Sequence, residues 1–68
     1  MIDHEKNLRK AIELSKQSID SGSSPFGCVI VDAEGKIVGE GHNRVAPDND
    51  PTAHGEIVAI RNACRNLG

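Results

Sequence analysis

His54 and Glu56 stand two residues apart in Pro51-Thr52-Ala53-His54-Gly55-Glu56, just ahead of the apolar run Ile57-Val58-Ala59-Ile60. An imidazole is a common zinc ligand, and a carboxylate beside it can carry protons to and from a polarised water. Asp50 suits an N-cap and Pro51 suits a first helical turn, so the pair is expected in the opening turn of a helix. Two positions correspond to about 200° around a helix, so the two side chains do not share a face. Helical side chains lean toward the N-terminus, however, and from a first turn both can reach one point just beyond the helix end. A metal at that point would polarise a water while Glu56 stays unliganded, as the proton shuttle. The triplet alone is common in solvated helices. Its surroundings decide.

Four elements must position it. Leu8, Ala11, Ile12, Ser15 and Ile19 fall on one stripe at helical spacing, which predicts a helix over 3–21 ended by Gly22 and Ser23-Ser24-Pro25. Residues 26–32 read as a strand, apolar at Phe26, Cys28, Val29, Ile30 and Val31 and therefore expected to be buried on both faces. Asp32-Ala33-Glu34-Gly35 is a turn, and 36–41 a second strand whose Gly39 and Gly41 suit a sheet edge. A loop over 42–52 leads to the last helix, which runs to 67 with the stripe Ala53, Ile57, Ile60, Cys64 and Leu67, and Gly68 is a natural stop. The order helix-strand-strand-helix makes an α/β unit. It leaves the apolar first strand with an unpaired edge, so further strands are expected beside it.

At 68 residues the chain is one small domain or a piece of one, and its core is poor, with Phe26 the only aromatic residue. Cys28 and Cys64 lie in apolar stretches and read as buried free thiols of a cytoplasmic protein. The formal charge of −2 carries no basic footprint for nucleic acid. No segment approaches the ~20 apolar residues of a membrane span, so neither nucleic acid nor membrane is expected as a partner. Asp48-Asn49-Asp50 opens like a calcium loop, yet Ala53 and Ala59 stand where that loop needs Gly and Glu.

Three segments go further than the triplet: Pro25-Phe26-Gly27-Cys28-Val29-Ile30-Val31, Gly41-His42-Asn43, and Asn49-Asp50-Pro51-Thr52-Ala53-His54-Gly55-Glu56. In order and spacing they make the chain resemble the zinc-dependent cytidine and deoxycytidylate deaminase superfamily, and within it the bacterial guanine deaminase branch. The resemblance implies a three-layer α/β/α sandwich with a mixed sheet, of which residues 1–68 look like the truncated N-terminal half. It implies Zn2+ as cofactor, with His54 as a metal ligand and Glu56 as the catalytic acid/base. Asn43 would hydrogen-bond the substrate, and the N–H of Gly55 would point at the bound base. Phe26 would line the base pocket, although a simple core role stays open. Family members usually carry Ala where Gly55 stands, and Gly loosens that turn by ~1 kcal/mol.

The family's two cysteine ligands belong to a later helix. Cys64, ten residues after His54, lies roughly 15 Å along a helix axis and cannot substitute; Cys28 is mid-strand. The implied partners are therefore a small-molecule nucleobase, guanine first, and a complementary C-terminal segment or second chain carrying the cysteines. A homo-oligomer is also expected. The isolated chain should be inactive. The alternative is a non-catalytic deaminase-like module that associates through its exposed strand.

Overall fold

The computed structural model describes residues 2–68, which form α1 (His4–Asp20), β1 (Gly27–Val31), β2 (Ile37–His42), α2 (Val45–Asp48) and α3 (Gly55–Leu67). Asp3 starts α1 as its N-cap, its Oδ1 accepting from Lys6 N at 3.0 Å. Gly22, at φ +83°, takes the left-handed conformation that ends the helix. The hairpin turn lies where expected. Asp32 Oδ1 accepts from the N–H groups of Glu34 and Lys36, and Gly35 supplies the positive φ.

β1 and β2 pair antiparallel in the register Gly27↔His42, Cys28↔Gly41, Val29↔Glu40 and Ile30↔Gly39, with an irregularity before Val31. Residues opposite one another share a face. Gly27, Val29 and Glu40 thus face α1, whereas Cys28, Ile30, Gly39 and Gly41 face α3. Among the described residues α1 and α3 make no contact with each other. The sheet separates them, giving the expected α/β/α layering. The sheet is the antiparallel pair β1-β2.

Both helices approach the sheet over glycines. A Cβ on Gly27 would come within 2.7 Å of Ser15 N, and one on Gly41 within 2.5 Å of Ala59 N. Gly39 is as tightly covered, by Ala59 O at 2.5 Å. β2 is an edge strand among the described residues, as expected, but Gly39 and Gly41 are there for another reason than a weak edge. They are buried points of close helix approach.

The close approach rotates the buried faces away from the apolar stripes. α1 buries Asn7, Leu14 and Ser18, while Leu8, Ile12 and Ile19 are exposed. α3 buries Gly55, Ala59 and Ala63, leaving Ile60, Cys64 and Leu67 exposed. The stripes read from periodicity are real but are not the core of this chain, and Cys64 is no buried thiol.

Their direction is informative. At about 100° per residue, Leu8, Ile12 and Ile19 lie opposite Lys10, which reaches Glu40 of β2 at 3.7 Å. Likewise Ile60, Cys64 and Leu67 lie roughly opposite Asn62, whose Nδ2 donates to Glu40 O at 2.6 Å; Asn66 Nδ2 donates to Val38 O at 2.9 Å. The asparagine amides occupy carbonyls of β2. Both apolar stripes lean instead toward β1, whose far edge has no strand beside it among the described residues.

Candidate active site

The segment after β2 carries the candidate residues, and its local chemistry differs from the expected loop and long helix. Val45–Asp48 form a short helix, stopped by Asn49 in the left-handed conformation at φ 50°. Asp50 does not cap α3. Its Oδ1 accepts from Thr52 N (2.9 Å) and Thr52 Oγ1 (2.7 Å), closing a turn of its own. Those hydrogen bonds, with Arg61 reaching across from α3, hold the Asp50 carboxyl below its ordinary range. Pro51 and Thr52 belong to that turn, and α3 begins only at Gly55.

His54 is accordingly the N-cap of α3, in extended conformation (φ −66°, ψ 156°), rather than a residue of its first turn. Its carbonyl accepts from Val58 N at 2.9 Å, which starts the helical ladder. Its side chain makes no capping hydrogen bond and is exposed. The imidazole is thus uncommitted. Glu56 is exposed in the first turn, and its charge reaches Cys28 on the sheet below. Burial first, and that carboxylate second, push the Cys28 thiol pKa up, so Cys28 stays a neutral packing residue.

Asn43 is buried directly after β2. Its N–H donates to Phe26 O at 3.1 Å, continuing the β ladder, and its Oδ1 accepts from Val45 N at 3.0 Å. Among the described residues no partner takes its Nδ2, which is left as a donor. Arg44 N donates to Ala53 O at 2.8 Å, clamping the start of this segment to the residue before His54. Asn43 and His54 meet in the lining of one open cleft of about 360 Å³, with Gly22, Ser23, Ser24, Val45, Ala46 and Pro51.

Not every expected residue joins them. Phe26 is 63% exposed, which rules out the core role in this chain, and its side chain is not in the cleft lining. Gly55 is buried at the helix start, its missing Cβ 3.4 Å from Phe26 O. Glu56 lies at the same helix end but outside the lining. His42 turns to the backbone, its Nδ1 3.2 Å from Asn43 O. A second groove, about 370 Å³ along β2 and Asn62, Arg65 and Asn66, contains none of the candidate residues.

The residues the periodicity does not point to are Ser18, Ser23 and Ser24. Ser18 is fully buried and bonds to two separate segments that line the cleft, and Ser23 Oγ is buried with no partner. Asn7, Leu14 and Ser18 do recur at helical spacing, but a serine at the end of a weak polar stripe is no signal beside an apolar one.

The donor chemistry at His54 fits zinc, since an exposed imidazole without a capping hydrogen bond at a helix start is a good ligand. It is one donor only: among the described residues no three His, Cys, Asp or Glu side chains gather closely enough to hold a metal.

A histidine and a glutamate thus stand at one helix start, near a cleft that Asn43 lines, on an α/β/α frame. The chain belongs to the family of the cytidine and deoxycytidylate deaminase zinc-binding region, whose model matches residues 1–68. That family binds Zn2+. Its similarity runs to several kinds of deaminase. It is 47% identical to the guanine deaminase of Bacillus subtilis over 98% of this chain and 43% of that protein. The solved structure of that enzyme superimposes with a TM-score of 0.88 over the same shares of the two chains. A tRNA-specific adenosine deaminase of Haemophilus influenzae is 44% identical over 93% of this chain and 36% of its own length. The chain thus spans less than half the length of these relatives.

Proposed function

We propose that this chain is the N-terminal half of a zinc-dependent enzyme that hydrolytically deaminates a free nucleobase, guanine first. The carrying observation is the shared position of His54 and Asn43 in one cleft at the start of α3, with both the imidazole and the amide Nδ2 uncommitted. The similarity to guanine deaminase over nearly the whole chain supports this substrate, as does the acidic balance of 10 Asp and Glu against 8 Lys and Arg. A tRNA substrate would call for clustered basic residues.

In this reading His54 is one zinc ligand. When bound, zinc polarises a water for attack on the amidine-like ring carbon that carries the amino group. Glu56 takes up the proton that this water gives up on attack and delivers it to the departing nitrogen, which leaves as ammonia. Asn43 Nδ2 donates to an acceptor on the base and fixes its orientation. The N–H of Gly55, without a helical partner at this end, is a second donor aimed from the helix start. Phe26, beside Asn43 through its carbonyl, covers the base once the cleft is closed by further structure.

That further structure is a complementary segment, or a second chain, bringing the cysteine ligands to the open edge of β1. Leu8, Ile12, Ile19, Ile60 and Leu67 would then be covered by it. Each is already partly covered, so completing its burial adds only about half of the ~1.5–3 kcal/mol of a whole side chain; together that is about 4–9 kcal/mol, of the order of the ~5–15 kcal/mol that holds an ordinary domain together. The assembled enzyme is read as a cytoplasmic homo-oligomer acting on purine bases. The same open edge supports a second reading, a deaminase-like module without activity that pairs β1 with another protein.

Zinc analysis and ammonia release separate the two. The isolated chain should release no ammonia from guanine. With the complementary segment it should bind one zinc per assembly and turn over. A stable zinc-free complex, inert toward guanine, adenosine in tRNA and cytosine, would establish the module instead.

A further inference from the structure

Ser18 lies on the sheet-facing side of α1 and is completely buried, at 0% exposure. Its Oγ stands 2.5 Å from Ser24 O and 3.2 Å from Asn43 O, carbonyls of two separate segments that line the cleft. The single hydroxyl proton is directed chiefly at Ser24 O, with Asn43 O as its second acceptor. In return Ser18 O accepts from Ser23 N and from Ser21 Oγ, both at 2.9 Å. One residue therefore ties the 22–24 wall and the Asn43 wall to the rigid body of a 17-residue helix.

Asn43 needs such a tie. Its Oδ1 is spent on Val45 N and its N–H on Phe26 O, so the placing of Nδ2 depends on how firmly its own backbone is held. Ser18 and the His42 ring are the groups within hydrogen-bond distance of the Asn43 carbonyl, and the ring offers a proton there in only some of its forms. A buried hydroxyl inside a helix has otherwise little to recommend it over alanine.

We propose that Ser18 is the positioning residue of this cleft, which holds Asn43 Nδ2 and the Ser23–Ser24 wall in register for the base. This rests on the reading of Asn43 as the base-binding amide. Ser18 does not itself touch substrate.

The test uses the chain assembled with its complementary segment. Ser18→Ala is expected to raise KM for guanine about tenfold, the scale of one lost buried hydrogen bond, with kcat and zinc content unchanged. In an Asn43→Ala background the same substitution should leave KM where it is, because the group it positions is gone. A fall in thermal stability with unchanged KM, or fully additive effects in the double variant, would overturn the proposal. Should Ser18→Ala fail to assemble, Ser18→Cys keeps the shape with a weak donor and carries the same expectation. An independent measurement covers the case in which the wild-type assembly does not deaminate any base. The Asn43 side-chain amide resonance, assigned through Asn43→Asp, should shift and broaden in Ser18→Ala while those of Asn62 and Asn66 stay in place. An unmoved Asn43 resonance would refute the positioning role, whereas a wild-type assembly that deaminates no base, with the resonance still moved in Ser18→Ala, would refute only the substrate reading.

Discussion

Glu56 illustrates how little distinguishes a shuttle from a ligand at the level of one residue. It is exposed at the first turn of α3, in contact neither with His54 by any hydrogen bond nor with a cationic side chain among the described residues. In the assembled enzyme Glu56→Gln, which keeps shape and removes the proton site, should retain stoichiometric zinc and lose about 10²–10⁴ in turnover. Metal analysis beside kcat checks this, and equal loss of zinc would make Glu56 a ligand. Gly55 makes a second case. Its missing Cβ would meet nothing closer than Phe26 O at 3.4 Å, an ordinary contact. Gly55→Ala should therefore stabilise the fold by up to ~1 kcal/mol, seen as a raised midpoint in urea, without cost to zinc binding.

The elements are arranged by close approach more than by bulk. Ala59 and Ala63 let α3 lie on Gly39 and Gly41, and Gly27 does the same beneath α1. This is why the large apolar residues, which periodicity marks as core, remain outside. Gly41→Ala would put a Cβ 2.5 Å from Ala59 N and 2.7 Å from Gly55 O, both backbone atoms that cannot step aside. It should cost about 1–3 kcal/mol and displace the start of α3. Thermal melting should show a drop of at least about 5 °C for a chain of this size, together with weakened zinc binding at His54. A melt matching that of the parent chain would mean the helix is not seated on the strand as described. Helix boundaries followed similar local logic. Asp50 and Pro51 have the composition of a helix start, but Thr52 offers Asp50 both a backbone and a side-chain donor at once. That turn wins, and the start moves to His54.

On the scale of the whole molecule the two outer edges of the strand pair differ. The β2 carbonyls of Val38 and Glu40 are taken by asparagine amides, whereas the far edge of β1 is open and overhung by apolar side chains from both helices. One edge is covered and the other is open. Ile60, 49% exposed, should report on this. Ile60→Glu is expected to change the circular dichroism and stability of the chain alone by no more than ~0.5 kcal/mol. It should weaken binding of the complementary segment tenfold or more, measured by titration calorimetry. Unchanged affinity would mean that the segment docks elsewhere. The family, the α/β order, the turn at Asp32–Gly35 and the placing of residues 54 and 56 at one helix start were legible in the residues, because each depends on short-range spacing or on the chemistry of single side chains. Which helix faces are buried, that Phe26 lies outside, and that Ser18 joins two segments lining the cleft were decided by tertiary structure alone. Those depend on how near two backbones can come, and the glycines that permit it act from the opposite element, where no local pattern reveals them.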